Sequence, residues 1–175
     1  MSVEAAVRTL SDADVRYAVI GAVALAARGA SRSTFDLDLL VVERRVLYDD
    51  FWERARSAGA EIEIRTGDFD DPLAGVVRIA GPEPVDIIVG KYRWQRDILT
   101  RAQPVLVRGL MLPIPRAADL VLLKLLAGGY RDIDDIRTLL RVSGDVLVGE
   151  VSNAVEGLPA EMRERWARLL AESSS

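Results

Sequence analysis

Residues 21–42 read GAVALAARGASRSTFDLDLLVV, and the fold turns on them. An apolar strand over residues 15–20 ends at Gly21, an Ala/Leu-rich helix follows at once over residues 22–28, and Gly29 stands where a helix C-cap belongs. After a polar stretch, residues 35–42 (FDLDLLVV) alternate acid and apolar and then become wholly apolar. A strand does this when one end of it emerges from the core. Side chains at i and i+2 of a strand share a face, so Asp36 and Asp38 are predicted to project together while Leu37 and Leu39 point inward. Two adjacent carboxylates repel one another, and a hard divalent cation that also binds substrate phosphates relieves that repulsion. Gly21 lets the backbone turn tightly against a ligand, and the N–H groups of the helix opening at Ala22 suit phosphate oxygens.

Working outward, residues 2–10 form an amphipathic pattern predicted as a helix, and residues 44–58 show helical spacing in Val46, Leu47, Phe51, Trp52 and Ala55. Residues 61–66 (EIEIRT) alternate with period two, and residues 76–80 and 85–89 pair as a hairpin around the GPEP turn. Glu61 and Glu63 resemble Asp36 and Asp38 in their alternation, so acids on strand faces are not by themselves diagnostic here. Residues 91–103 read as helix, residues 104–115 as two short strands folded around Arg108 and Gly109, and residues 116–127, 132–142, 146–155 and 160–171 as helices. The predicted class is α/β in the α+β sense, a mixed sheet flanked by helices with a helical C-terminal part. The predicted division is a 1–115 α/β core and a 116–175 helical part packed on it as one domain. A doubly wound parallel sheet is disfavoured, because the strands after residue 61 follow one another without crossover helices.

The 175 residues include no cysteine and no histidine, which excludes disulfides, Cys/His zinc sites and every triad built on either residue. Chemistry is left to carboxylates, Lys, Arg, Tyr, hydroxyls or a bound metal. The N-terminus has no basic segment followed by an apolar one, and no stretch reaches membrane-spanning length, so a cytoplasmic protein with no membrane contact is expected. Net charge is −4, which argues against a surface that wraps long nucleic acid. Residues 91–131 run against that average: Lys91, Arg93, Arg96, Arg101, Arg108, Arg116, Lys124 and Arg131 meet only Asp97 and Asp119. That run reads either as solvated faces or as a phosphate-facing surface.

Gly21-Ala22, Ala24, Arg28-Gly29, Arg32, Thr34 and Asp36-Leu37-Asp38 together resemble the first motif of the nucleotidyltransferase superfamily related to DNA polymerase beta. They look most like the branch holding the abortive-infection (AbiEii-type) toxin nucleotidyltransferases and their small relatives. The resemblance extends to Asp86 in VDIIVG, as the third carboxylate. It also takes in residues 115–140, where Lys124, Arg131, Asp132 and Asp135 look like that branch's lysine and its Arg-Asp-x-x-Asp helix start. It departs at Ala22, which stands where Ser or Gly is usual and lacks a hydroxyl for phosphate.

The resemblance implies a nucleotidyltransferase fold and transfer of a nucleoside monophosphate from an NTP to a hydroxyl of RNA such as tRNA, protein or a small molecule. In a toxin–antitoxin pair a cognate antitoxin would be the partner. It implies Mg²⁺ or Mn²⁺ on Asp36, Asp38 and Asp86, with Asp86 as ligand or base. Gly21, Ala22, Arg32, Thr34 and Lys124 would hold the nucleotide, and Lys124 would also steady transition-state charge. On this reading Lys124→Met weakens NTP binding without lowering the melting temperature. The alternative is a catalytically inert module of the same fold that binds a nucleotide or a protein partner.

Overall fold

The computed structural model describes residues 1–30, 36–107 and 109–173. They form two units: the first holds the residues up to Ala27 and then on to Pro115, the second residues 28–30 and those from Arg116 onward.

In the first unit, helix α1 (Val3–Asp12) starts where the Ser2 hydroxyl accepts the Ala5 N–H at 3.3 Å. Its buried residues Val3, Ala6 and Leu10 fall three and four apart, so one stripe faces the core. Strand β1 (Tyr17–Ile20) runs directly into α2 (Gly21–Ala27), and β2 (Leu37–Val41) follows. Strands β3 (Ile62–Thr66), β4 (Leu73–Ile79) and β5 (Val85–Gly90) complete a sheet of order β1-β2-β5-β4-β3. Only β2 and β5 run parallel; the other neighbours are antiparallel. Helix α3 (Glu53–Ser57) precedes β3, and α4 (Arg93–Arg101) with the hairpin β6 (Gln103–Val107) and β7 (Leu110–Ile114) follows β5. This is the mixed α/β architecture that the alternation patterns predict.

Register decides which residues share a face, because paired residues on neighbouring strands point the same way. Leu39, Ile87, Val77 and Ile64 form one row, and Leu37, Val85, Ile79 and Ile62 another. Leu39, Ile87, Val77, Val85 and Ile79 of these rows have no exposed surface. The opposite face carries the row Ile20, Asp38, Asp86, Arg78 and Glu63. One face is thus hydrocarbon, and the other ends in a line of charge.

The helix predicted over residues 44–58 is not continuous. Two 3₁₀ turns, Arg44–Leu47 and Asp49–Trp52, precede the five-residue α3, and Tyr48 between them is extended (φ −106°, ψ 141°). The helical spacing is explained by Val46 and Trp52, which are fully buried from successive turns. The Trp52 indole donates to the Val46 carbonyl at 2.7 Å and ties one turn to the other. Trp52→Phe keeps an aromatic ring there but leaves that buried carbonyl unpaired. The expected loss is about 1–3 kcal/mol, measured as a lower urea midpoint at unchanged m-value.

The described residues of the second unit from Arg116 onward form three helices: α5 (Ala117–Ala127), α6 (Tyr130–Val155) and α7 (Ala160–Ser173). Gly144 breaks α6 (φ 63°, ψ −156°), so the two helices predicted on either side of it are distinct pieces of one run. Gly128 ends α5 in the left-handed region (φ 68°), and its N–H donates to the Lys124 carbonyl. Arg165 of α7 donates to two further carbonyls of that end, Leu125 at 2.6 Å and Leu126 at 3.2 Å. Among the described residues, no helix is long and apolar enough to cross a membrane.

Candidate functional site

Strand β1 delivers the chain to Gly21, whose positive φ (+63°) turns it into α2. A β-carbon at Gly21 would lie 1.9 Å from the Asp38 Oδ2 and 2.8 Å from its Cγ. The missing side chain is therefore the space the Asp38 carboxylate occupies. Gly21→Ala is expected to cost at least about 1–2 kcal/mol from the backbone alone. It should cost less in an Asp38→Ala background, and a double-mutant cycle of urea midpoints reads the difference. Ala22 is buried.

Asp38 is the register partner of Asp86 across the parallel β2–β5 pair, so the two carboxylates stand side by side on one face. Asp36 lies exposed one residue before β2, close enough that its charge acts on Arg78. Arg78, the β4 partner of Asp86, grips that carboxylate with two parallel hydrogen bonds: Nε to Oδ1 at 2.9 Å and Nη2 to Oδ2 at 3.0 Å. These bonds and the charge of Asp86, with smaller contributions from Glu63 and Asp36, hold the Arg78 guanidinium above its ordinary pKa. Glu63, next in the row, pairs with Arg65 at 2.7 Å. The end of this sheet face is thus a strip of charge running −, −, +, − from Asp38 to Glu63.

The metal expected from the sequence can be tested against this donor set. All donors are carboxylate oxygens, which suits Mg²⁺ or Mn²⁺. Among the described residues, no three acids gather into a ready-made metal cage. Both oxygens of Asp86 are already bonded to Arg78. Of the three acids expected to hold the cation, Asp86 fits only by releasing Arg78.

Arg32 and Thr34, expected to contact phosphate, lie outside the described residues. Lys124 belongs to the second unit, where its ammonium is paired with Asp132 at 2.8 Å and Asp135 at 2.7 Å. Asp132 also accepts the Gly129 N–H at 3.1 Å at the start of α6. Two more cations of the basic run have structural partners. Lys91 donates to the Asp68, Phe69 and Asp71 carbonyls of the β3–β4 loop, and Arg116 pairs with the buried Asp119. Sequence reasoning missed Arg78 and the place of Glu63 in the row. The signal was available: a hairpin that pairs residue 79 with 85 must set residue 78 opposite 86.

No protein-family model and no curated protein sequence matches the chain. Solved structures do. The solution structure of the antibiotic-resistance factor ANT(2'')-Ia superposes with a TM-score of 0.58 at 13% identity, covering 98% of this chain and 95% of that one. The same factor in complex with adenylyl-2''-tobramycin gives 0.53 at 15% identity over 91% and 94%. The lincosamide antibiotic adenylyltransferase LnuA, with lincomycin bound, gives 0.50 at 12% identity over 81% and 96%. The chain has the nucleotidyltransferase fold.

Proposed function

We propose that this protein is a nucleotidyltransferase that moves a nucleoside monophosphate from an NTP to a hydroxyl acceptor, with Mg²⁺ or Mn²⁺ as cofactor. One observation carries the reading: Asp38 stands beside Asp86 on the sheet face directly over the Gly21 turn, with Asp36 at the head of the same strand. Acids gathered over a glycine turn suit a cation that also binds substrate phosphates. Asp36 and Asp38 would hold the cation, which when bound supplies charge neutralisation to the triphosphate. The Gly21 and Ala22 N–H groups, with Arg32 and Thr34, would hold phosphate oxygens. Asp86 would orient the acceptor hydroxyl and take its proton.

The acceptor class favoured is a small polyhydroxylated molecule, by analogy with the adenylylated tobramycin and the lincomycin carried by structures of this fold. RNA, a protein acceptor and a toxin–antitoxin role belong to the AbiEii-like alternative. The capture of Asp86 by Arg78, and Ala22 in place of a hydroxyl, favour a second reading in which the fold binds nucleotide without turning it over.

The deciding experiment incubates the protein with each radiolabelled NTP and Mg²⁺ or Mn²⁺. Aminoglycosides, lincosamides, total tRNA and cell extract are supplied separately. Label on an acceptor that is lost in Asp38→Asn supports the enzyme and identifies its acceptor class. A melting-temperature rise with NTP but no labelled acceptor selects the binding module. A rise unaffected by Asp36→Ala and Asp38→Ala removes the nucleotide from this site.

A further inference from the structure

A groove of about 630 Å³ runs between α1 and residues 44–58, and Ala5, Arg8, Phe51, Arg54, Ala55 and Ala58 are among its lining. We propose that it binds a small ligand that joins a phosphate to a flat ring, in the manner of a nucleoside monophosphate, at a site separate from the row of acids. The inference does not rest on the proposed function.

Both walls of the groove belong to the layer that covers the hydrocarbon face of the sheet, the face away from Asp38. Leu47, in the first 3₁₀ turn, stands 2.7 Å from where a β-carbon on Gly75 would be, and Gly75 shares the face of Val77. On the α1 side, Val3 and Leu37 of the same face line one small cavity. Arg45 donates to the Ala13 carbonyl at the end of α1 and ties the two walls together. Ala5, Ala55 and Ala58 leave the space open where larger side chains would close it. Phe51 stands edge-on to the fully buried Trp52, with 4.9 Å between ring centroids, and gives the groove one firm apolar wall. The volume lies within the roughly 300–1,000 Å³ of small-molecule sites.

The charges of the lining select an anion. Arg8 from α1 and Arg54 from α3 reach the groove from opposite walls, and neither guanidinium has a hydrogen bond or ion pair among the described residues. Each follows an acid by four residues, a spacing at which side chains pair on a helix, but both acids serve the backbone instead. The Glu4 carboxyl is held below its ordinary pKa by its own N–H and the Ser2 hydroxyl, and Asp50 Oδ1 accepts the Phe51 N–H at 2.9 Å. The other cations of the lining, Arg45 and the Met1 amine, are engaged by the Ala13 and Ala80 carbonyls, and Asp12 is the remaining acid. One carboxylate fills one guanidinium fork, whereas a phosphate carries oxygens enough for two. A flat ring attached to that phosphate finds a stacking partner in Phe51.

The test adds adenosine 5′-monophosphate to the full chain in EDTA, so that no metal is present, and follows backbone amide shifts by NMR. Saturable shifts are expected at Ala5, Thr9, Ala55 and Ala58, with Gly21 and Asp38 unmoved. Arg8→Gln, Arg54→Gln and Phe51→Leu are each expected to weaken binding by about tenfold or more. Arg96→Gln, at an exposed arginine outside the groove, is expected to stay within about twofold of wild type. Adenosine and ribose 5-phosphate each lack one half of the ligand and are expected to bind about tenfold more weakly or worse; the second also reads the ring's contribution should Phe51→Leu fail to fold. Absence of shifts in the groove, or shifts confined to Gly21 and Asp38, overturns the inference. So does an affinity within about twofold of wild type in Arg8→Gln and Arg54→Gln, an equal loss in Arg96→Gln, or ribose 5-phosphate binding as tightly as the nucleotide. The proposed function stands in each of these cases.

Discussion

Lys124→Met is expected to lower the stability of the free protein by about 3–5 kcal/mol, the range found when one partner of a buried ion pair is removed. The side chains of Lys124, Asp135 and Asp132 are 14%, 8% and 24% exposed, so water replaces little of what the ammonium provides. Methionine fills the space of the stem and leaves two mostly buried carboxylates facing each other. For a chain of this size each kcal/mol moves the melting temperature by roughly 2–4 °C, so a fall of about 6–20 °C is expected. Adding Asp135→Asn to Lys124→Met should recover part of it by removing one of the two like charges that the ammonium offsets. The expectation from sequence is weaker NTP binding with no loss of melting temperature; the pairing with Asp132 and Asp135 bears on the second half, and calorimetry with Mg²⁺ present tests the first. A melting temperature within a degree or two of wild type would show that α5 and α6 do not depend on this pairing.

On the proposed function, Asp38→Asn is expected to lower kcat/KM for nucleotidyl transfer by about 10²–10⁴, the equivalent of losing roughly 3–5 kcal/mol of the transition-state stabilisation a bound cation would give. The substitution keeps the shape that fits over Gly21, so the Gly21 turn and the β2–β5 register should survive it. The measurement is a comparison of steady-state transfer with the melting temperature of the same preparation. Full activity would take Asp38 out of the chemistry and leave it a structural neighbour of Gly21.

Lys124 and Asp38 also mark two kinds of legibility. The place of Asp38 on the charged face was readable because strand alternation is local: the period of two tells which residues share a face before any partner strand is known. The Gly21 turn was readable for the same reason, although its closest demand, room for the Asp38 carboxylate, arises only when β2 lies against β1. Residues 44–58 misled because a buried Val46 and Trp52 give the same spacing whether the backbone is one helix or two 3₁₀ turns and a short one. Spacing reports burial, and backbone hydrogen bonds decide the rest.

By itself the sequence determined the element order, the mixed α/β class, the exclusion of cysteine and histidine chemistry, and the acids at the head of β2. These follow from short-range periodicity and composition, which need no knowledge of what lies across the sheet. Tertiary structure alone decided who partners whom. It set Asp38 beside Asp86, gave both oxygens of Asp86 to Arg78, and spent the Lys124 ammonium on Asp132 and Asp135. A charge's role depends on the charges within a few ångströms of it, and Coulomb's law takes those distances from the fold, not from the chain.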